Sequence, residues 1–230
     1  MPVFQLTEKI IFPHPDLAEE TGLLAVGGDL SVPRLIAAYR LGIFPWYSDN
    51  DPILWWFTSP RLVLFPAELR VTKRLNRYYK NSVLRMTINQ AFDKVIMSCA
   101  ATRRARDEGT WITQDMLQAY KKLHRKRYAH SVECWHGDSL VGGLYGIALG
   151  RVFFGESMFS AYPNSSKLAL IYLVNFLTLN GYRLIDCQMT TDHLVSLGAR
   201  EITGKKFQDL LKTYIHSNNY NGAWPHEESG

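Results

Sequence analysis

The chain is poor in cysteine. It has three, Cys99, Cys134 and Cys187, with no Cys-x-x-Cys pair. An odd, widely spaced set argues against a disulfide framework and against a zinc site, so reduced and mostly buried thiols are expected. Long hydrophobic runs are also missing: the longest apolar stretch, Leu168 to Leu179, is broken by Asn175 and Thr178 and is too short to cross a bilayer. The N-terminus reads Met-Pro-Val-Phe-Gln, with no basic region leading into an apolar core and a small-residue cleavage site. A cytoplasmic location, away from membranes, is therefore expected. No Gly-x-Gly-x-x-Gly opens a helix after a strand, and there is no Walker-type lysine loop, His-Glu-x-x-His or Gly-x-Ser-x-Gly. The common nucleotide-binding, zinc-protease and serine-hydrolase readings thus lose their main support.

What the chain does have is apolar material for a core and an uneven distribution of charge. Its 230 residues are 47% hydrophobic and 13% aromatic, which excludes intrinsic disorder. The net charge of +5 conceals a segregation: residues 1–60 carry three basic and seven acidic side chains, residues 61–130 sixteen and five, and residues 131–230 seven and nine. The excess comes from two clusters, Arg70, Lys73, Arg74, Arg77 and Lys80, then Arg103, Arg104, Arg106, Lys121, Lys122, Arg125, Lys126 and Arg127. A concentrated basic face suits a polyanion, because each phosphate contact releases condensed counterions. On charge alone, a pair of solvated helical faces fits equally well.

Composition changes near Arg61, which divides a small N-terminal α/β domain (1–60) from a larger domain (61–230). In the first, Gly22 to Asp29 predicts a short strand and turn, and Ser31-Val-Pro-Arg predicts a capped helix start running to Tyr39–Gly42. The aromatic and proline-rich stretches Phe44–Tyr47 and Asp51–Trp56 are too irregular for a long helix or a central strand. In the second, a strand at Leu62–Phe65, a basic helix at Thr72–Tyr79 and a strand at Leu84–Ile88 precede helices at Ala91–Ala101 and Gln114–Lys126. Strands at Ser131–Trp135, Leu140–Ala148 and Val152–Phe154 follow. A helix capped by Asn164 or Ser165 then presents Leu168, Ile171, Tyr172, Val174 and Leu179, ends at Asn180-Gly181, and leads to a strand at Arg183–Gln188. This order predicts an α+β fold with a mixed, mainly antiparallel sheet.

Polar residues in this frame suggest where chemistry sits. Gly155-Glu-Ser-Met-Phe-Ser160 places Glu156 where a strand is expected to leave the sheet, a position that suits a pocket floor as well as a surface cap. Asp186 and Gln188 lie two apart on an apolar strand, hence on one face, and are costly to bury unless hydrogen-bonded. They fit either a strand-end pair that satisfies loop backbone or an amide held by a carboxylate through its NH2, whose oxygen accepts from an amine. Trp46 and Trp111 lie in polar, turn-rich surroundings. Beside a basic face they suit unpaired bases, although indoles are more often core residues.

The strings Gly22-Leu-Leu-Ala-Val-Gly-Gly-Asp-Leu30, Gly42-Ile-Phe-Pro-Trp-Tyr47, Asp51-Pro-Ile-Leu-Trp-Trp56, Glu108-Gly-Thr-Trp-Ile-Thr113, Gly155-Glu-Ser-Met-Phe-Ser160, Leu184-Ile-Asp-Cys-Gln188 and Ser196-Leu-Gly-Ala199 closely resemble the leucyl/phenylalanyl-tRNA–protein transferase family, in order and over nearly the whole chain. The resemblance implies an acetyltransferase-like (GNAT-like) larger domain. It also implies transfer of Leu or Phe, and less readily Met, from aminoacyl-tRNA to the α-amino group of proteins beginning with Lys or Arg, producing an N-degron. By the same resemblance Asp186 and Gln188 form a relay toward the incoming amine, Trp46 and Trp111 hold the terminal adenosine, and Glu156 and Tyr39 lie near the reacting groups. Leu144, Phe153, Met158, Leu173, Leu177 and Ile185 are expected to make the side-chain pocket; the family pattern has aromatics at 173 and 177, where this chain has Leu. Lys73, Arg74, Arg77, Lys121, Lys122 and Arg125 are the candidates for tRNA phosphate contacts. No metal and no cofactor is expected, and the enzyme is expected to act as a monomer. A small-molecule acetyltransferase should show a pyrophosphate loop that this chain lacks, and a non-catalytic RNA-binding module would leave Asp186 and Gln188 without a task.

Overall fold

The computed structural model describes residues 3–104, 112–215 and 224–225. The N-terminal part comprises strands β1 (Phe4–Leu6) and β2 (Leu23–Gly27), helix α1 (Val32–Arg40), and strands β3 (Phe44–Pro45) and β4 (Leu54–Trp56). They form a four-stranded sheet in the order β1-β2-β4-β3, with β1 parallel to β2 and the other pairs antiparallel. Helix α1 starts as its sequence predicts: the Ser31 hydroxyl accepts from the Arg34 backbone N–H at 3.4 Å, and Pro33 sits in the first turn. Gly42 follows the helix with φ +77°, and a Cβ there would stand 2.5 Å from Phe207 Cε1. Only glycine meets both demands. Contrary to expectation, Leu54–Trp56 is an inner strand of this sheet. Pro52 lies outside those three residues, so it removes no ladder hydrogen bond, and the Trp55 indole N–H donates to the Gly27 carbonyl at 2.9 Å.

The chain changes sheet between Trp56 and Arg61. Strand β5 (Arg61–Leu64) is followed by α2 (Lys73–Asn81), β6 (Arg85–Ile88), α3 (Phe92–Arg104), α4 (Gln114–Arg125), β7 (Ala129–His136), β8 (Ser139–Leu149), β9 (Val152–Ser160), α5 (Ser165–Leu179), β10 (Leu184–Gln188), α6 (Asp192–Ser196), β11 (Arg200–Ile202) and α7 (Gly204–Ile215). The seven-stranded sheet runs β11-β5-β10-β9-β8-β7-β6, antiparallel at every pairing except β9 with β10. The mixed, mainly antiparallel sheet is as predicted. No described helix is long and apolar enough to cross a membrane.

Alternation along β8 and β9 builds a core on each face of this sheet. Tyr145, Ile147, Val152 and Phe154 pack with α3, α4 and the N-terminal Leu24, Leu35, Tyr39 and Trp55 in one continuous cluster. Leu144, Ala148 and Phe153 face the other way, against Leu170, Leu173 and Leu177 of α5. Each such side chain removed from water contributes about 1.5–3 kcal/mol. Helix α2 belongs to the α5 side, where Leu75, Tyr78 and Tyr79 pack on Leu168 and Ile171. Helices α2 and α4, which carry Lys73, Arg74 and Arg77 and Lys121, Lys122 and Arg125, therefore lie over opposite faces of the sheet, the arrangement of two separate helical faces that charge alone leaves open beside a single basic face.

Two expectations for α5 also change. Asn164 holds the N-cap position with φ +64° and makes no side-chain cap. Ser165 lies inside the helix, its hydroxyl 2.8 Å from the carbonyls of both Val141 and Tyr162, either of which can accept its one hydrogen. Leu179 is 87% exposed and takes no part in the apolar face. Asn180 and Gly181, the latter at φ +72°, close the helix as predicted.

Candidate active site

Strands β9 and β10 pair in parallel over three residues, Val152 with Leu184, Phe153 with Ile185 and Phe154 with Asp186. Beyond them β9 stays on β8 as far as Ser160, while β10 continues on β5. The two strands part, and a cavity of about 320 Å³ fills the opening. Gly155, Glu156, Ser157 and Met158 line one side, and Asp186, Cys187, Gln188 and Met189 line the other. Leu144, Phe153, Leu170, Leu173 and Ile185 form an apolar wall, and Phe44, Pro45 and Trp46 join from the N-terminal part. The segment 155–160 is thus strand and not the loop expected from sequence: its backbone remains paired with β8, and only its β10 edge is open.

Both walls carry a bulge. Opposite β8, Tyr145 pairs with Ser157 and Gly146 with Gly155, so Glu156 is the extra residue. On β10, Asp186 pairs with Val63 and Gln188 with Leu62, leaving Cys187 extra, and Gln188 has φ +61°. A bulge re-aims side chains that strict alternation would direct elsewhere. This corrects the expectation that Asp186 and Gln188 are brought together by a shared strand face.

Glu156 is buried among donors. The Tyr39 hydroxyl reaches Oε1 at 2.7 Å, the Tyr120 hydroxyl Oε2 at 2.9 Å, and the Gln188 amide NH2 donates to Oε1 at 3.1 Å. The two tyrosine hydroxyls also touch each other. The contacts Glu156–Tyr39–Tyr120–Glu156 form a ring of three links, for which the tyrosines supply two hydrogens. Both hydroxyls donate to the carboxyl, one to each oxygen, and their mutual contact closes the ring. Burial pushes the Glu156 carboxyl up to about 7 against the opposing effect of the tyrosine hydrogen bonds. Burial raises both tyrosine hydroxyls well above their usual value, and the Glu156 charge raises them further.

Asp186 has a different partner. The Arg61 Nε and Nη2 donate to its two oxygens at 2.8 and 2.7 Å, with the guanidinium 1% and the carboxylate 0% exposed. Arg61 also donates to the Gly42 carbonyl at 3.0 Å and the Thr58 hydroxyl at 3.1 Å, and lies 4.8 and 4.7 Å from the Phe44 and Phe207 ring centroids. Asp186 Oδ1 also accepts from the Gln188 backbone N–H at 2.9 Å. The carboxylate that holds the Gln188 amide is therefore Glu156, while Asp186 fixes the backbone beneath it.

Of the expected pocket residues, Leu144, Phe153, Met158, Leu173 and Ile185 line the cavity. Leu177 does not; it is fully buried behind the wall, in the same apolar cluster. Trp46 stands at the mouth, 38% exposed and edge-on to Trp56 at 5.5 Å. Trp111 and Arg106 lie outside the described residues. Lys73, Arg74 and Arg77 are exposed on α2, as are Lys122 and Arg125 on α4, but Lys121 is mostly buried and paired with Asp93 at 2.9 Å. Sequence reasoning missed Tyr120 and Arg61. Tyr120 lies on the apolar side of an amphipathic helix, and Arg61 looked like one more basic residue of the middle segment.

Comparison with known proteins first gives the class, an aminoacyltransferase. The family model described as leucyl/phenylalanyl-tRNA protein transferase matches residues 63–212, and that of the N-terminal domain of the same proteins matches residues 28–59. A leucyl/phenylalanyl-tRNA–protein transferase from Syntrophobacter fumaroxidans (strain DSM 10017 / MPOB) is 57% identical over 99% of this chain and 97% of its own. Another, from Desulfotalea psychrophila (strain LSv54 / DSM 12343), is 56% identical over 97% of this chain and 99% of its own. The chain belongs to the leucyl/phenylalanyl-tRNA–protein transferase family, and it transfers an aminoacyl group from tRNA to protein. Among solved structures, the C-terminal domain (DUF2156) of a putative lysylphosphatidylglycerol synthetase from Agrobacterium fabrum aligns at TM-score 0.43 and 11% identity, over 84% of this chain and 59% of that one, a likeness too weak to add to the assignment.

Proposed function

We propose that the enzyme moves Leu or Phe, and less readily Met, to the α-amino group of proteins that begin with Lys or Arg, in the cytoplasm and as a monomer, marking them as N-degrons. The larger part, residues 61–230, is read as an acetyltransferase-like domain and residues 1–60 as a small domain before it; the change of sheet between Trp56 and Arg61 supports that boundary. The observation that carries the reading is the cavity between β9 and β10, apolar on the α5 side and bordered on the other by Gln188 held on Glu156. The aminoacyl side chain enters the apolar side. The ester carbon then faces Gln188, and Trp46 and Trp111 hold the terminal adenosine.

The chemistry asks little of the protein, because an aminoacyl ester is already activated. The acceptor nitrogen attacks the ester carbon, the C–N bond forms, the C–O bond to ribose breaks, and the ribose oxygen takes up the proton that the amine gives up. Donation of the Gln188 NH2 to Glu156 leaves the amide oxygen to accept from the amine and orient its lone pair. A neutral amide can place an amine in this way but has no basicity to ionise a hydroxyl. The test is transfer of radiolabelled Leu from charged tRNA to a peptide beginning with Arg. Gln188→Ala should lose about 10²–10⁴-fold in transfer while still binding charged tRNA, and near-normal turnover would sink the assignment.

A further inference from the structure

The apolar wall of the cavity is held from behind by a residue that does not line it. Phe153, on β9, is 1% exposed and borders the cavity. Gly146 lies against one side of its ring: a Cβ there would come within 2.6 Å of Phe153 Cε1 and Cζ, so the ring rests on bare backbone. Trp224 also stacks on this ring, with centroids 5.8 Å apart and planes 30° apart.

Trp224 is itself fixed on several sides. It is 3% exposed, and its ring stacks on His130 at 4.0 Å and 6° and meets Phe176 at 4.6 Å. Its indole N–H donates to the Tyr182 hydroxyl at 2.7 Å, and the following Pro225 carbonyl accepts from the Asn89 amide at 2.7 Å. An indole held this tightly leaves Phe153 no space to retreat from the cavity.

We propose that Trp224 is a positioning residue for side-chain selection, which acts through Phe153 to set the depth of the aminoacyl pocket; this rests on the reading of that cavity as the pocket. With the indole present, a bulky aminoacyl side chain meets a wall that cannot yield. With it removed, the Phe153 ring can swing toward the vacated volume, and larger side chains gain relative to Leu.

The test is competitive transfer by the full chain from Leu- and Phe-charged tRNA to one Arg-initiated peptide, read as the ratio of kcat/KM for Phe over Leu. Trp224→Ala should raise the ratio by about fivefold or more, within the range that a methyl-sized change of pocket shape commands. Trp224→Phe should shift it less, in the same direction, and keeps the test available if the alanine variant does not fold. Loss of folded enzyme lowers both rates alike and leaves the ratio untouched, so a merely structural role would not move it. A parallel Phe153→Ala variant separates the two claims. If it shifts the ratio and neither Trp224 variant does, the role of Trp224 is overturned and the pocket stands. If Phe153→Ala leaves the ratio unchanged as well, the pocket reading fails and the role of Trp224 falls with it.

Discussion

Glu156 holds its proton more tightly in the folded protein than in an open chain, because its burial disfavours the charged form. The consequence for stability has a definite sign. Between the ordinary value of 4.5 and the folded value of about 7, the folded state binds more protons than the unfolded one, so stability contributed by this group falls as pH rises and levels off above about 7. The span corresponds to on the order of 3 kcal/mol. Glu156→Gln should flatten this component, so urea unfolding of the two proteins across that window should give curves that converge at low pH and separate toward neutrality; parallel curves would show that the carboxyl titrates normally. At this scale the sequence was partly legible. Glu156, Asp186 and Gln188 stood out because polar groups on apolar strands must find partners. Which carboxylate holds the amide was not legible, since each assignment turns on a bulge, at Glu156 and at Cys187, that no local pattern announces.

Helices and strands were easier to read than the faces they cover. The caps at Ser31, Thr72 and Thr113 each accept the backbone N–H that a helix start leaves unpaired, and hydroxyls at such positions are visible in sequence. Where α2 and α4 would lie was not visible, because charge says only that a surface is wet. Their placement over opposite faces of the sheet makes a divided prediction. If both touch tRNA, neutralising Lys73, Arg74 and Arg77, or Lys122 and Arg125, should each reduce the salt dependence of binding by about 0.7 to 0.9 log units per lost contact, with aminoacyl choice unchanged. If only one face carries tRNA, the salt slope should respond to one set alone. Lys121→Ala should cost less tRNA affinity than Lys122→Ala, since the Lys121 charge is already met by Asp93; equal losses would show that the pair opens on binding.

The molecule as a whole is tied together at Arg61, whose guanidinium joins the Gly42 carbonyl after α1, Thr58 between the sheets, Asp186 on β10 and the Phe207 ring on α7. Removing one partner of a buried ion pair leaves the other uncompensated, at a cost of about 3–5 kcal/mol. Arg61→Met should therefore lower the melting temperature sharply, and adding Asp186→Asn should recover part of the loss; a single variant that melts like the parent would show that the pair is not buried in solution. The core that Arg61 sits in runs without a break from Trp55 to Phe154. Sequence composition suggested a boundary near Arg61 but not that apolar contact would continue across it, because composition records what a segment contains and not what it packs against.

Tyr39 and Trp46 precede the change of sheet, whereas Tyr120, Glu156 and Gln188 follow it. Neither stretch of chain holds the hydrogen-bonded ring by itself. A chimera of this chain with a relative, crossed over between Trp56 and Arg61, keeps only one of these two tyrosines from this chain. It will work only where the other stretch supplies a group that meets the retained hydroxyl, so the ring is inherited across the junction and not within either stretch.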